Sequence, residues 1–440
     1  MLDEAGGCDA EEGAVGAAHV LHRESLSAGV EHRVSPGDEA VPGEGDVAHL
    51  AAEEVLALAG LHAAVSLAWV AYNLYLVELL VRAGFDAWLA TVLLTVEGFL
   101  GGLLEPLTGS LSDRVRRGLF RRFFLLMGGV LVSALLFLAL PIAAVGARPG
   151  PATLVPALLM AWALSMAVFR APALSLLGRH ARPDALPLAA SVLTTAGGLV
   201  GAAAPSARAW LLSLGPGPTF AAASAALVLT ALVVRALERR SPAPTEPPEP
   251  PPPLERWQVH GAWLLLGVGT VSTLAFRFLI GALPRAGAGP GASATAITTA
   301  FFCGLGLAAI PVGRIALGRV GGGPVTVAGL LLLVGGTALA SQVQGASAVL
   351  LVAALLGAAL AAVQNGLVAW SLCAIRAERG GLGMGLLLGG GGLALGVFNL
   401  LLAVRKPAAE TSLLAAAGLY ALTGALLAVL HRTVRGRTAG

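Results

Sequence analysis

The stretch ASAVLLVAALLGAALAAVQNGLVAWSLCAI, residues 346–375, carries no acidic or basic side chain. A bilayer core about 30 Å thick is crossed by roughly 20 apolar residues of α-helix. Hydrocarbon offers backbone amides and carbonyls no partner outside their own segment, so such a run in a membrane must be helical. Its polar residues, Gln364 and Asn365, stand together inside the run, where they line a cavity or hydrogen-bond to a neighbouring helix.

Runs of the same kind fill the chain. Working outward, they read as helices over about residues 55–80, 88–107, 123–145, 152–177, 188–207 and 219–237, then 261–283, 294–313, 324–340, 346–375, 383–404 and 411–430. The composition agrees: of 440 residues 56% are apolar and 12% charged, whereas soluble domains carry about 25% charged residues. The expected fold class is all-α: a polytopic membrane protein of twelve transmembrane helices, six in each half.

Residues 1–54 hold thirteen acids against two arginines and form a polar preface expected to be disordered. It has neither the basic start nor the short apolar core of a signal peptide. Residues 55–240 make the first six-helix bundle and 257–431 the second. Between them lies the linker 241–256, where the prolines of 242–253 exclude helix and favour an extended, stiff chain. Residues 432–440 are a basic tail. Assigning the loops alternately puts eighteen arginines on one side and six basic residues on the other. This separation places both termini and the linker in the cytoplasm. It also explains the net charge of +3 as topology, so no nucleic-acid partner is expected.

Between the second and third runs stands Gly109-Ser-Leu-Ser-Asp113-Arg114-Val-Arg-Arg117-Gly118. Gly109 permits close helix approach, Asp113 can cap a helix N-terminus and pair with arginine, and Arg114 and Arg117 hold the loop in the cytoplasm. The stretch resembles the loop signature G-x-L-x-D-R-x-G-R-R/K of the major facilitator superfamily, with the second glycine displaced. A weaker echo, Gly313-Arg314 through Gly318-Arg319-Val-Gly321, occupies the equivalent place in the second half. Matching marks of this kind are what an internal repeat leaves behind. Ala68-Trp69-Val-Ala-Tyr72-Asn73, Glu105-Pro106-Leu-Thr-Gly109 and Phe169-Arg170-Ala-Pro172-Ala173, with Asp184 and Gly197-Gly198, look like the sucrose/proton symporter-like and glycoside/cation symporter branches. The resemblance implies two pseudo-symmetric bundles, alternating access between them, and a gating latch at Gly109 to Arg117. It further implies the plasma (inner) membrane, a monomer, and a small-molecule substrate, in these branches a sugar.

An ionised side chain at mid-bilayer costs at least about 2.5–3.5 kcal/mol on insertion scales, so each one asks for a partner or a purpose. Glu97 lies near the middle of the second run and is the candidate for proton coupling, with Arg170 of the fourth run as its counter-charge. The same two residues could instead form a permanent pair that only fixes packing. Arg277 could hold an anionic or hydroxylated solute on its planar fork, snorkel, or pair with Glu78. Trp69, Tyr72, Asn73, Gln364, Asn365 and Asn399 are candidate cavity-lining groups. Interhelical hydrogen bonding would account for the amides equally well. The glycines Gly197, Gly198, Gly201 and Gly389 to Gly392 would let helices approach and slide.

No Ser–His–Asp arrangement, paired catalytic carboxylates or phosphate loop appears in a plausible context, so no enzyme is read. No cofactor and no metal is expected. Gly267-x-Gly269 and Gly304-x-Gly306 lie inside apolar runs with no strand before them, and the histidines read as tail and membrane-edge residues. Cys8, Cys303 and Cys373 form no paired pattern and read as small buried hydrophobes. The expected function is proton-coupled secondary transport of a small polar solute. The alternatives are efflux of drugs or metabolites by proton antiport, and a transport-inactive sensor or membrane-assembly factor.

Overall fold

Twelve helices in the computed structural model are long and apolar enough to cross a membrane. The structure describes residues 44–114, 119–145, 153–240, 253–289, 291–318 and 320–435. In chain order the helices are α1 (Glu44–Arg82), α2 (Trp88–Arg114), α3 (Leu119–Val145), α4 (Leu154–Leu174), α5 (Leu186–Leu214), α6 (Pro216–Glu238), α7 (Arg256–Gly287), α8 (Ala294–Leu317), α9 (Gly322–Leu339), α10 (Ala346–Cys373), α11 (Gly380–Val404) and α12 (Ala409–Arg435). A one-turn helix, Leu177–His180, follows α4. Among the described residues there is no strand, only an isolated bridge between Gly289 and Ala292.

Two differences from the sequence reading concern element ends. α1 begins at Glu44, so the last eleven residues assigned to the polar preface are helical. α2 runs on to Arg114, which puts Gly109 to Arg114 on the final turns of a helix and not in a loop. No helix breaker follows Pro106 before Arg114, and the packing described below holds these turns. Residues 1–43, Arg117, most of the proline linker (241–252), Arg319 and 436–440 lie outside the described residues.

Large apolar side chains point outward, among them Leu135, Ile142, Leu307 and Leu331, each at least 66% exposed. Such a surface is suited to lipid, not water. Inside, the apolar side chains form one large cluster from Val55 to Val234, joined by Ala369, Leu372 and Met384 of the second half, another from Val268 to Tyr420, and a small one of Leu265, Ile375, Leu386 and Leu430. The packing partners repeat with a shift of six helices. α1 packs on α5 and α6, α2 on α4, and α3 on α4 and α6. Likewise α7 packs on α11 and α12, α8 on α10, and α9 on α10 and α12. This is the geometry an internal duplication produces.

The two bundles meet along two seams, α2 against α11 and α5 against α8. α11 presents Gly381, Gly385 and Gly389 at four-residue spacing, followed by Gly392 and Gly396, so one face is bare of side chains. α2 answers with Gly98, Gly102 and Gly109. A Cβ placed on Gly109 would stand 2.0 Å from the Gly381 carbonyl oxygen. In the second seam a Cβ on Gly198 would stand 2.6 Å from Gly306 Cα, and Gly201 meets the Phe302 ring. The Thr195 hydroxyl donates to the Gly306 carbonyl at 3.1 Å across that seam. Without a hydrophobic drive between helices in lipid, association rests on this backbone-to-backbone packing. The Gly-x-Gly pairs of the second half serve the same end, Gly269 against α11 and Gly304 against α10.

Candidate functional site

At the arginine-rich end of the first seam, Asp113 is buried and accepts two hydrogen bonds from the start of α11, one from the Gly381 amide at 2.9 Å and one from the Leu382 amide at 2.7 Å. The first four amides of a helix have no partner within it, and the partial positive charge there favours a carboxylate. Asp113 therefore caps α11 of the opposite bundle, a contact between one side chain of the first half and two backbone amides of the second. Arg114 is exposed beside it. At the symmetry-related place Gly313 packs against Ser191 and Leu188 of α5.

Deeper in the membrane region the expected pairing of Glu97 with Arg170 is replaced by a different one. Arg170 forms its salt bridge with Glu105, about two turns nearer the arginine-rich end of α2. Depth explains the choice. At about 1.5 Å per residue, Glu105 stands about 14 Å from Arg114 and Arg170 about 15 Å from His180, whereas Glu97 is about 26 Å from Arg114. Glu97 is buried and accepts a hydrogen bond from the Tyr72 hydroxyl at 2.8 Å. Its other oxygen has no protein partner. Arg277 and Arg170 both lie within electrostatic reach of it. Arg277 makes no pair with Glu78, which is tied to Arg82 one turn away on α1.

Tyr72 belongs to an aromatic stack that fixes its position. It stacks on Trp162 at 4.6 Å, Trp162 stacks on Phe137 at 4.4 Å, and Phe137 on Phe220 at 4.1 Å. Trp69 stands edge-on to both Tyr72 (5.5 Å) and Trp162 (5.0 Å), with its indole nitrogen buried and unpartnered. Trp162 and Phe137 are fully buried, so the hydroxyl that meets Glu97 is aimed by a rigid core.

The remaining expected residues divide. Asn73 donates to the Trp69 carbonyl at 2.7 Å and lines a cleft of about 350 Å³ with Trp69, Val70, Leu74, Ala204, Pro205, Arg208 and Leu211. That cleft lies between α1 and α5 and touches the charged cluster only through Trp69. Asn365 is buried and donates to the Ala309 carbonyl at 3.0 Å, which ties α10 to α8. Gln364 is half-buried on the same helix, and the Asn399 amide is buried without a partner.

Two residues of the site escaped the sequence reading. His62, read as an edge residue, lies inside α1 with its Nδ1 buried and unpartnered, close to Gly197 of α5 and within electrostatic reach of Arg170. A histidine in mid-run, with Ser66 one turn on, was the available signal. Glu105 stood out as part of a branch motif and as a charge toward the cytoplasmic end of its span, without a partner assigned to it, and it carries the salt bridge. Among the described residues no three His, Cys, Asp or Glu side chains converge as a metal site would require.

No protein-family model matches the chain, and no curated protein matches it. Solved structures do. A bacterial homologue of the iron transporter ferroportin, in its outward-facing state, superimposes with a TM-score of 0.62 at 15% identity, covering 86% of this chain and 99% of that one. FucP, a Major Facilitator Superfamily transporter in the outward conformation, gives a TM-score of 0.57 at 14% identity with the same coverage.

Proposed function

We propose, from the major facilitator fold that this chain has, that it is a secondary active transporter which carries a small polar solute by alternating access and couples its movement to protons. The observation that supports this best is the group of ionisable side chains held between the bundles. Glu97 on α2 is bonded to Tyr72 of α1 and faces the charge of Arg277 on α7, so first and second halves share one electrostatic site. A chain that used these groups only for packing would gain more from apolar replacements, because burying charge is costly unless every partner is satisfied. Here Glu97, Arg170 and Arg277 each keep an unpartnered atom.

Glu97 is the proton carrier in this reading. The Asp113 latch closes one end of the seam in the state described, and its breaking opens that end. The arginine bias supports a cytoplasmic position for this end, and the family resemblance supports the plasma membrane and a monomer. The aromatic and amide groups Trp69, Tyr72 and Asn73 suit a hydroxylated solute such as a sugar, as the branch resemblance implies. Glu105 and Arg170 position α2 against α4.

The test is solute-driven proton movement in proteoliposomes of both orientations, screened over sugars, other polar metabolites and cationic dyes. Solute and protons entering together establish symport, and opposite fluxes establish antiport. Glu97→Gln is expected to abolish the coupled proton flux while leaving the helical fold intact. Transport by that variant with an unchanged pH dependence sinks the assignment of Glu97.

A further inference from the structure

Five buried polar atoms on α1, α2, α4 and α7 have no partner: His62 Nδ1, Trp69 Nε1, Glu97 Oε1, Arg170 Nε and Arg277 Nε. Trp69 lies edge-on to Tyr72, and Tyr72 donates to Glu97. Arg170 is within electrostatic reach of His62, Glu97 and Arg277 alike. Four of the five are donors, or in the case of His62 able to become one. Trp69 also lines the cleft between α1 and α5.

The charges can be counted. Arg170 is committed to Glu105. The charged groups within electrostatic reach of Arg277 are then one carboxylate, Glu97, and the already paired Arg170; α11, which packs on both α2 and α7, carries no titratable residue, while α12, which also packs on α7, carries Glu410, Tyr420 and His431. Once Glu97 binds a proton, Arg277 keeps its charge and loses its counter-ion. An uncompensated guanidinium inside a span is costly, and what relieves it is an anion.

Resting on the transporter reading above, we propose that the solute is a small oxyanion, a carboxylate or phosphate group seated on Arg277, and that the proton on Glu97 vacates the charge this anion replaces. The guanidinium fork matches the paired oxygens of either group. Trp69 Nε1 and His62 stand ready for hydroxyls on the body of the solute. One proton and one negative charge enter the site together, so the loaded and empty sites have the same net charge.

The experiment is thermal unfolding of the purified full chain with matched compounds, glucuronate beside glucose and glycerol phosphate beside glycerol, together with formate, acetate and inorganic phosphate. Measurements are made on both sides of neutral pH. An oxyanion is expected to raise the melting temperature saturably while its neutral twin does not, and the effect is expected to grow as pH falls. The carboxylate and phosphate arms separate the two headgroups. Glu97→Gln is expected to keep the stabilisation at both pH values. Arg277→Gln is expected to weaken half-saturation by about tenfold or more, with Arg277→Lys between the two because it keeps the charge and loses the fork. A neutral twin as effective as its anion overturns the proposal. So does a folded Arg277→Gln or Arg277→Lys protein with unchanged half-saturation, or silence from every oxyanion. Proton-linked flux of a neutral solute with no oxyanion effect leaves transport standing and removes the oxyanion; oxyanion binding with no coupled flux does the reverse.

Discussion

Removing the Asp113 carboxylate should open the arginine-rich end of the seam. The Asp113→Ala change deletes two charge-assisted hydrogen bonds to the first turn of α11, at 2.9 and 2.7 Å, from a side chain 1% exposed. Bonds to a charged group are worth about 1.5–3 kcal/mol each against a solvated alternative. The charge at a helix N-terminus adds about 0.3–1 kcal/mol. Both exist only while α2 and α11 touch, and water takes over part of their work once the halves part. A differential of about 3 kcal/mol is therefore a fair value, which moves the equilibrium between closed and open ends by about 150-fold. Asp113→Asn keeps one carbonyl acceptor and sets an amide against the second N–H, so it should lose more than half of that. The assay is a spin-label distance between positions 182 and 376, exposed sites in loops of the two halves at this end, with Cys8, Cys303 and Cys373 replaced by serine. The parent should give one short distance and the alanine variant a second, longer one that dominates. An alanine variant with native helix content and the parent's distance distribution refutes the latch.

Three more outcomes follow from the same geometry. Gly198→Val sets a side chain 2.6 Å or less from Gly306 Cα in the second seam; overpacking typically costs about 1–3 kcal/mol, and a melting temperature equal to the parent's would mean the seam is looser than described. His180 gives one ring nitrogen to each of two buried carboxylates, Glu54 and Glu238, and so binds α1 to α6; Arg179 also reaches Glu238 at 3.6 Å, so His180→Ala should cost about 1.5–3 kcal/mol in unfolding experiments by removing charge-assisted contacts that join the two helices, and an unchanged unfolding midpoint would show that the link carries no stability. Glu105→Gln strips Arg170 of its salt bridge; solute uptake should fall at least tenfold with proton coupling per solute unchanged, and a changed coupling ratio would move the proton role from Glu97 to Glu105.

The spans were legible because lipid imposes a simple rule: about twenty apolar residues in a helix, with arginine gathered on one side. The seams were half legible. Gly197, Gly198 and Gly389 to Gly392 stood out as runs, but which glycine met which depended on the register of α2 against α11 and of α5 against α8. The extension of α2 through Gly109 to Arg114 was hidden by serine, glycine and aspartate, residues that favour turns in isolation. Here the touching backbone of α11 and the bonds from Asp113 outweigh that preference. The choice of Glu105 over Glu97 was in principle readable from depth, because Glu105 stands about as far from Arg114 as Arg170 does from Arg179 and His180. Which face of α2 turns toward α4 was not. His62 was obscured by its apolar neighbours, which are also what bury it.

α2 joins the two parts of the site. It carries Glu97 and Glu105 within the membrane and Asp113 at its end, so a change at Glu97 reaches the latch along about 24 Å of one helix. Toward α11, Gly98 and Gly109 meet glycine backbone and Gly102 meets Leu393, a close-packed face that can slide but cannot compress. Pro106 interrupts the hydrogen-bond ladder between the charged and latching portions and packs against Gly389, so it is the place where α2 can bend. Arg170 holds the helix from the α4 side at Glu105, immediately before that proline. The segment from Pro106 to Asp113 is thus clamped at both ends, by a salt bridge within its own bundle and by hydrogen bonds to the other. In the proposed cycle, loading at Glu97 would alter the charge that Arg170 and Arg277 share, and Pro106, next to the Glu105 salt bridge, is where α2 would yield. Such a bend would draw Asp113 from the α11 amides and so tie the solute's arrival to the opening of the opposite end.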